Sequence, residues 1–178
     1  MGFNLDASLI EPDRFTTDVY PQWFLGSQGK KVTLAKASPE DFALYYPKFA
    51  TSLHYCVPSL GIDEVGDFSV MYDMRQVEER DYYNKNPYAA YIYADQPLET
   101  IENLERRDGP HLLVVHESFG NCVVPFLSLV AGRVDSIDLR HFDGSLRTYI
   151  ETERPDAVVV MYNPSALGSN NAALFDFR

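Results

Sequence analysis

The sequence has 178 residues, of which 46% are hydrophobic and 23% charged, and its formal net charge is −11 at pH 7. This composition fits one globular domain that can bury a core without disulfide bonds, and it argues against disorder of the whole chain. No run of Lys and Arg is present. Binding to nucleic acid or to an anionic membrane surface is therefore disfavoured, because basic side chains supply most of the affinity for phosphate.

The beginning of the chain and its cysteines narrow the class further. The first residues, MGFNLDASLIEPD, lack the basic region and the apolar run of a signal peptide, and no apolar run in the sequence has membrane-spanning length. We expect either a cytoplasmic protein, if Met1 is the native start, or a piece of a longer chain. Cys56 and Cys122 form no metal-binding motif, and no Gly-rich phosphate loop is present, so we expect neither a metal nor a cofactor.

Residues 1–105 are predicted to form an irregular part that is rich in β-structure. Short runs of β-branched and aromatic residues predict strands at Lys31–Leu34, Ser52–Val57, Asp67–Tyr72 and Tyr91–Tyr93. Segments rich in Gly, Pro and Asn separate these runs. Ser38 followed by Pro39 predicts the start of a short helix, which Pro47 would end.

Residues 106–165 alternate between strand and helix signals. Strands are predicted at His111–His116, Val134–Leu139 and Ala157–Tyr162, of which the first and the third are apolar runs typical of strands buried on both faces. Helices are predicted at Asn121–Ala131 and Ser145–Glu153. This β-α-β-α-β order predicts an α/β fold with a parallel sheet. Residues 166–178 are expected to form a tail.

Polar residues follow two of these strands, at the edge where ligands bind to parallel α/β sheets. Ser118 lies between the first strand and a helix, where the backbone N–H groups of Phe119 and Gly120 could hold a developing oxyanion. Nucleophilic serines often occupy such a turn, although the pattern G-x-S-x-G is not matched, because residue 116 is His. The alternative is that Ser118 or Asn121 simply caps the helix.

The stretch HLLVVHESFGNCVVPFLSLVAGRVDSIDLRHFDGSLRTYIETERPDAVVVMYNP resembles the DHHW and alginate O-acetyltransferase-like branch of the SGNH hydrolase superfamily. A weaker resemblance extends upstream to Asp81–Leu98. The resemblance implies an SGNH-like, flavodoxin-like sheet and an O-acyl transferase or esterase that acts on a cell-surface carbohydrate. It also implies that Ser118 is the nucleophile and that Asn163 belongs to the oxyanion site.

Two departures from the family pattern bear on activity. The Asp that precedes the serine in the family is Glu117 here, and no D-x-H-W motif occurs, since none of the four histidines is followed by Trp. The first interpretation is that the motif lies upstream in a longer, extracellular or cell-surface parent. The second is that the chain is a shortened, inactive relative.

Other interpretations of the same residues stay open. The tyrosine-rich window, which contains Tyr82, Tyr83, Tyr88, Tyr91 and Tyr93, predicts either a glycan- or protein-binding face of a non-catalytic module, or aromatic filling between the two parts of the chain. A cytosolic domain of another role is the third hypothesis.

Overall fold

The protein is described here by a computed structural model, which covers residues 5–167 and 172–177. In these ranges the strands are β1 (Phe15–Phe24), β2 (Glu40–Pro47), β3 (Leu53–Val57), β4 (Ile62–Gly66), β5 (Leu98–Asn103), β6 (His111–His116), β7 (Arg133–Ile137) and β8 (Ala157–Met161). The α-helices are α1 (Gly26–Val32), α2 (Arg75–Glu78), α3 (Val124–Leu127) and α4 (Leu146–Glu153). Short 3₁₀ helices occupy many of the connections.

The main sheet has six strands in the order β4-β3-β5-β7-β6-β8, and β1 and β2 form a separate antiparallel ribbon. β6 pairs in parallel with β7 and β8, as predicted. β5 runs antiparallel to β7 and to β3, and β3 runs antiparallel to β4. The fold is therefore α/β with a mixed sheet. Three strands of the N-terminal part, β3, β4 and β5, extend the sheet of the second half, whereas β1 and β2 form the separate ribbon.

β6 lies between β7 and β8, and its apolar residues are buried on both of its faces. Leu112 and Val114 face the larger core, while Leu113 and Val115 face a smaller core beneath α4. This alternation follows from the two-residue period of a strand. Ser145 caps α4 by accepting a hydrogen bond from the Thr148 N–H at 3.2 Å, and Leu146 anchors the helix in the smaller core.

The tyrosine-rich window mainly fills the larger core. Tyr91 is 4% exposed and packs edge-on against Tyr72, with ring centroids 5.4 Å apart. Tyr82, Tyr88 and Tyr93 pack against the same core, whereas Tyr83 is 49% exposed. The packing interpretation is the one that the structure supports, and one exposed ring does not make a binding face.

Several N-terminal predictions are wrong. Lys31–Leu34 is not a strand but the end of α1 and the turn after it, and Asp67–Tyr72 is mostly a 3₁₀ helix, because the Asp67 side chain accepts the Ser69 N–H at 2.9 Å. Tyr91–Tyr93 contributes only an isolated bridge, from Tyr91 to Tyr72. The helix expected after Ser38 is β2, since pairing with β1 overrides the local start signal.

Two predictions in the second half also need correction. The helix expected over Asn121–Ala131 reduces to α3, whose first turn holds Pro125, because proline has no N–H to continue a helix from upstream. β8 is not buried on both faces, since Val158, Val159 and Val160 are exposed. The predicted tail lies partly outside the described residues. In its described part, Leu174 is buried and its carbonyl accepts the Tyr162 hydroxyl at 2.5 Å.

No helix in the described ranges is both long and apolar enough to cross a membrane.

Candidate functional site

Ser118 lies at the carboxyl edge of the sheet. β6 ends at His116, and Ser118 begins a 3₁₀ helix that runs to Gly120. The Ser118 side chain is half-buried, and its hydroxyl donates to Glu117 Oε2 at 3.1 Å. The serine thus occupies the strand-to-helix turn that the sequence predicted, although the helix that follows is shorter than expected.

The Glu117 carboxylate is the centre of this turn. It is 4% exposed in total and also accepts hydrogen bonds from the Phe119 N–H at 3.3 Å and, through Oε1, from the Asn163 N–H at 3.1 Å. Glu117 therefore caps the 3₁₀ helix, and neither Ser118 nor Asn121 does so. The same carboxylate connects the loop after β8 to the serine, so Asn163 and Ser118 do meet at one site.

The N–H groups expected at the oxyanion site are already engaged. The Phe119 N–H points at Glu117 Oε2, and the Gly120 N–H donates to the Glu117 carbonyl at 2.7 Å. Three donors, namely the Ser118 hydroxyl and the N–H groups of Phe119 and Asn163, thus surround a side chain that can carry negative charge. This arrangement can stabilise negative charge next to the serine, but Glu117 is the group that it holds in this structure.

His116 is a structural residue rather than a partner of the serine. Its Nδ1 lies 2.8 Å from the Glu117 carbonyl, which can only accept, so Nδ1 carries the proton, and Nε2 accepts from the Ser136 hydroxyl at 2.7 Å. Burial lowers the pKa of His116. A Cβ on Gly120 would lie 2.4 Å from His116 Cγ, so the ring fills the space that the glycine leaves.

Two of the other histidines pair with acidic residues away from the serine. His54 lies 2.5 Å from Asp63, whose hydrogen bond raises the pKa of the imidazole, and His111 lies 2.7 Å from Asp135. His141 is exposed. Among the residues that the structure describes, no histidine hydrogen-bonds to Ser118, so the serine has no imidazole base within that part of the chain.

One cluster could in principle supply metal ligands. Asp95, Asp138 and His141 each offer one ligand atom, and these atoms lie within 4.8 Å of one another. The guanidinium of Arg140 already donates to Asp95 at 2.8 Å and to Asp138 at 2.5 Å. Because this guanidinium already occupies oxygens of both carboxylates, we assign no metal to the cluster.

A cavity of about 240 Å³ lies beside the serine, and it is lined by Asn86, Tyr88, Ala89, Ala94, Asp95, Ser118 and Asn121. Sequence analysis did not single out Asn86 or Asp95, because they are far from Ser118 along the chain. The available signal was the weaker resemblance at Asp81–Leu98, which contains every lining residue that lies outside the Ser118 loop.

The fold is similar to those of several solved structures, each at low sequence identity. PatB1 of Bacillus cereus carrying a sulfonyl adduct is 22% identical, with a TM-score of 0.73 over 98% of this chain and 54% of that chain. A second PatB1 structure is 23% identical, with a TM-score of 0.68 over 93% of this chain and 53% of that chain. A DHHW family protein from Eubacterium siraeum is 20% identical, with a TM-score of 0.63 over the same shares.

The chain thus spans about half the length of these neighbours. No protein-family model matches the chain. No curated protein matches it either.

Proposed function

We propose that this chain is the serine-bearing part of an SGNH-type O-acyl transferase or esterase that acts on a carbohydrate outside the cell or at its surface. One observation carries the proposal: the Ser118 hydroxyl lies at the carboxyl edge of β6, beside a cavity and within a group of converging hydrogen-bond donors. The likeness to PatB1 and to a DHHW family protein supports a compatible fold, and the resemblance of residues 111–164 to the DHHW branch supports the chemistry.

The proposed reaction proceeds in two steps. Ser118 Oγ attacks the carbonyl carbon of an acyl ester, its proton passes to a base, and the ester C–O bond breaks to release the donor alcohol. A hydroxyl of the carbohydrate, or water, then attacks the acyl-serine and restores the free hydroxyl. Backbone N–H groups of Phe119, Gly120 and Asn163 would hold the negative oxygen in each step, after Glu117 releases those that it now binds.

The base in this proposal comes from polypeptide outside these residues. Support comes from the hydrogen bonds that hold His54, His111 and His116 elsewhere and from neighbours that are about twice as long. A serine without its base retains a competent position but reacts slowly. Free imidazole added to the solution should therefore act in part as the base that Ser118 lacks and speed its reaction.

The test is reaction of the purified chain with phenylmethylsulfonyl fluoride, followed by intact mass measurement, with and without added imidazole. We expect one sulfonyl group per chain, faster modification with imidazole, and no modification of Ser118→Ala. Ser59→Ala removes a hydroxyl that binds Gln96 away from the cavity, and it should be modified like the wild type.

Equal modification of Ser118→Ala and the wild type would show that Ser118 is not the nucleophile. Absence of any modification, even with imidazole, would favour the alternative of a non-catalytic binding module. The engagement of three donors by Glu117 is the observation that keeps this alternative in view.

A further inference from the structure

The end of α1 and the turn that follows it form a continuous exposed run. All six residues from Lys31 to Lys36 are exposed. The turn has a defined shape, because the Thr33 carbonyl accepts the N–H groups of Lys36 and Ala37, each at 3.0 Å. The side chains of this run are therefore presented to solvent by a hydrogen-bonded turn.

Three large apolar side chains are about half exposed at this turn. Val32 is 47% exposed, Leu34 is 44% exposed, and Tyr83, which comes from another loop, is 49% exposed. The Leu34 N–H donates to the Tyr83 hydroxyl at 3.3 Å, which holds the tyrosine beside the turn. Single exposed apolar side chains are common on proteins, whereas a group of them indicates a contact surface.

The fold also gathers most of the lysines at this place. The sequence contains five lysines, and four of them lie in α1, in the turn after it or on the loop that packs against α1, namely Lys30, Lys31, Lys36 and Lys85. The Lys85 carbonyl accepts Lys30 Nζ at 2.6 Å, so residues that are far apart along the chain meet here. A scan of the sequence for a run of Lys and Arg misses this concentration of positive charge.

Nearby acids offset only part of this charge. Asp81 interacts electrostatically with Lys30, and Glu79 pairs with Lys85 at 2.9 Å. Lys31 and Lys36 form no ion pair with any residue that the structure describes. The turn thus carries two uncompensated cations, although the net charge of the whole chain is −11.

A surface that is both basic and apolar fits an anionic membrane better than it fits a soluble polyanion. At a membrane, lysines contact the acidic headgroups, while apolar and aromatic side chains enter the boundary with the acyl chains. A soluble polyanion would pair with the lysines and leave Val32 and Leu34 in water. The negative charge elsewhere on the molecule opposes binding little, because at physiological ionic strength charges beyond about 8 Å are largely screened.

We infer that this surface binds the anionic face of a lipid membrane. It is called the α1 surface below and consists of Lys31, Val32, Leu34, Lys36 and Tyr83. The inference goes beyond the proposed function and does not rest on it. It also corrects the expectation from composition, because the charge of the whole chain disfavours a membrane whereas the local charge favours one.

The test is co-sedimentation of the full chain with vesicles of phosphatidylcholine alone, or of phosphatidylcholine and phosphatidylglycerol in equal parts. We expect binding to the mixed vesicles only, and weaker binding as salt is added. Lys31→Glu should weaken binding by about fivefold or more, since it removes one cation near the anionic surface and adds a negative charge.

Lys48→Glu is the matched control for charge. It makes the same change at the far end of β2, where Lys48 Nζ donates to the Asp13 carbonyl, and it should bind like the wild type.

A second pair of variants tests the apolar contribution. Leu34→Ser should weaken binding several-fold, because it removes an apolar side chain that enters the membrane boundary. Val65→Ser removes an exposed apolar side chain on β4 instead, and it should bind like the wild type. All four substitutions are at exposed positions, and the far-UV circular dichroism of each variant verifies its fold.

Equal binding to both kinds of vesicle, no binding to either, or equal effects of Lys31→Glu and Lys48→Glu would overturn the inference. Weaker binding of Lys31→Glu with unchanged binding of Leu34→Ser would also overturn it, because that pattern indicates recognition of negative charge alone, as by a partner of soluble polyanions. Sulfonyl modification of Ser118 is a separate measurement, and its outcome bears only on the proposed function.

Discussion

At the scale of single residues, the turn that presents Ser118 depends on a contact between Gly120 and His116. The His116 ring is buried, holds hydrogen bonds at both nitrogens, and occupies the space where a Cβ at position 120 would lie. From the sequence, Gly120 was expected to serve the oxyanion site through its N–H group. The neighbour that requires the glycine is instead the histidine four positions earlier.

Gly120→Ala is therefore expected to destabilise the protein by about 1–3 kcal/mol, as overpacking of a filled interior does. The contact at 2.4 Å involves the ring itself, so neither side can yield cheaply. Chemical denaturation measures the loss. In a His116→Ala background the same glycine substitution should cost close to nothing, and an unchanged cost in that background would contradict the proposed clash.

At the scale of elements, the two edge strands of the main sheet differ in chemistry. β4 carries Asp63 and Glu64, charges of the kind that keep sheet edges from pairing with other chains. β8 carries none, and its three consecutive valines are 38–52% exposed. Of the two edge strands of the main sheet, β8 is thus the one whose exposed side chains, within the described residues, are all apolar.

We expect Val159→Lys to reduce self-association several-fold, because a charge on β8 opposes edge-to-edge pairing. Light scattering at increasing protein concentration measures the effect. Val65→Lys on β4 is the control: Val65 is 66% exposed on an edge that is already charged, so little change is expected. Equal effects of the two substitutions would show that self-association does not proceed through the edge of β8.

Elements that local pattern determines were predicted, and elements that depend on distant partners were not. β6 and α4 follow from an uninterrupted apolar run and from a Ser145 cap, both visible within a few residues. β2 exists because it pairs with β1, and β5 joins β7 across the chain, which no local window contains. For the same reason Ser118 could be found from the local pattern, whereas its cavity neighbours Asn86 and Asp95 were indicated only by the weaker resemblance at Asp81–Leu98.

At the scale of the whole molecule, the larger core contains an acid. Glu99 on β5 is 1% exposed, and neither carboxyl oxygen has a hydrogen-bond partner among the described residues. Burial raises the pKa of Glu99 well above its usual value, with the charge of Asp95 adding to the rise and the nearby Ser136 hydroxyl opposing it without reaching hydrogen-bond geometry. Glu99 is therefore protonated in the folded protein at pH values where the unfolded chain ionises.

The raised pKa of Glu99 makes the folded protein less stable as the pH rises. Above the unfolded value of 4.5 the unfolded state loses this proton and the folded state keeps it, so rising pH favours unfolding by up to about 1.4 kcal/mol per pH unit until the folded pKa is reached. Glu99→Gln removes this pH-dependent contribution to the free energy of unfolding. Its stability relative to the wild type in urea should increase between about pH 5 and about pH 7.

Glu64→Gln, an exposed acid on β4, is the control for this series and should follow the wild type at both pH values. A constant difference between Glu99→Gln and the wild type across that range would mean that Glu99 already ionises in the folded protein.

The hydrogen bond from the Asn163 N–H to Glu117 couples the surroundings of Ser118 to the edge of the sheet. Asn163 follows β8, the outermost strand, whose hold on the sheet is its ladder with β6. Separation of β8 from β6 would remove the Asn163 N–H from the Glu117 carboxylate. The carboxylate would then accept only from the Ser118 hydroxyl and the Phe119 N–H. A partner that binds to β8 or displaces it would therefore change the hydrogen bonding of the Ser118 hydroxyl without contacting Ser118.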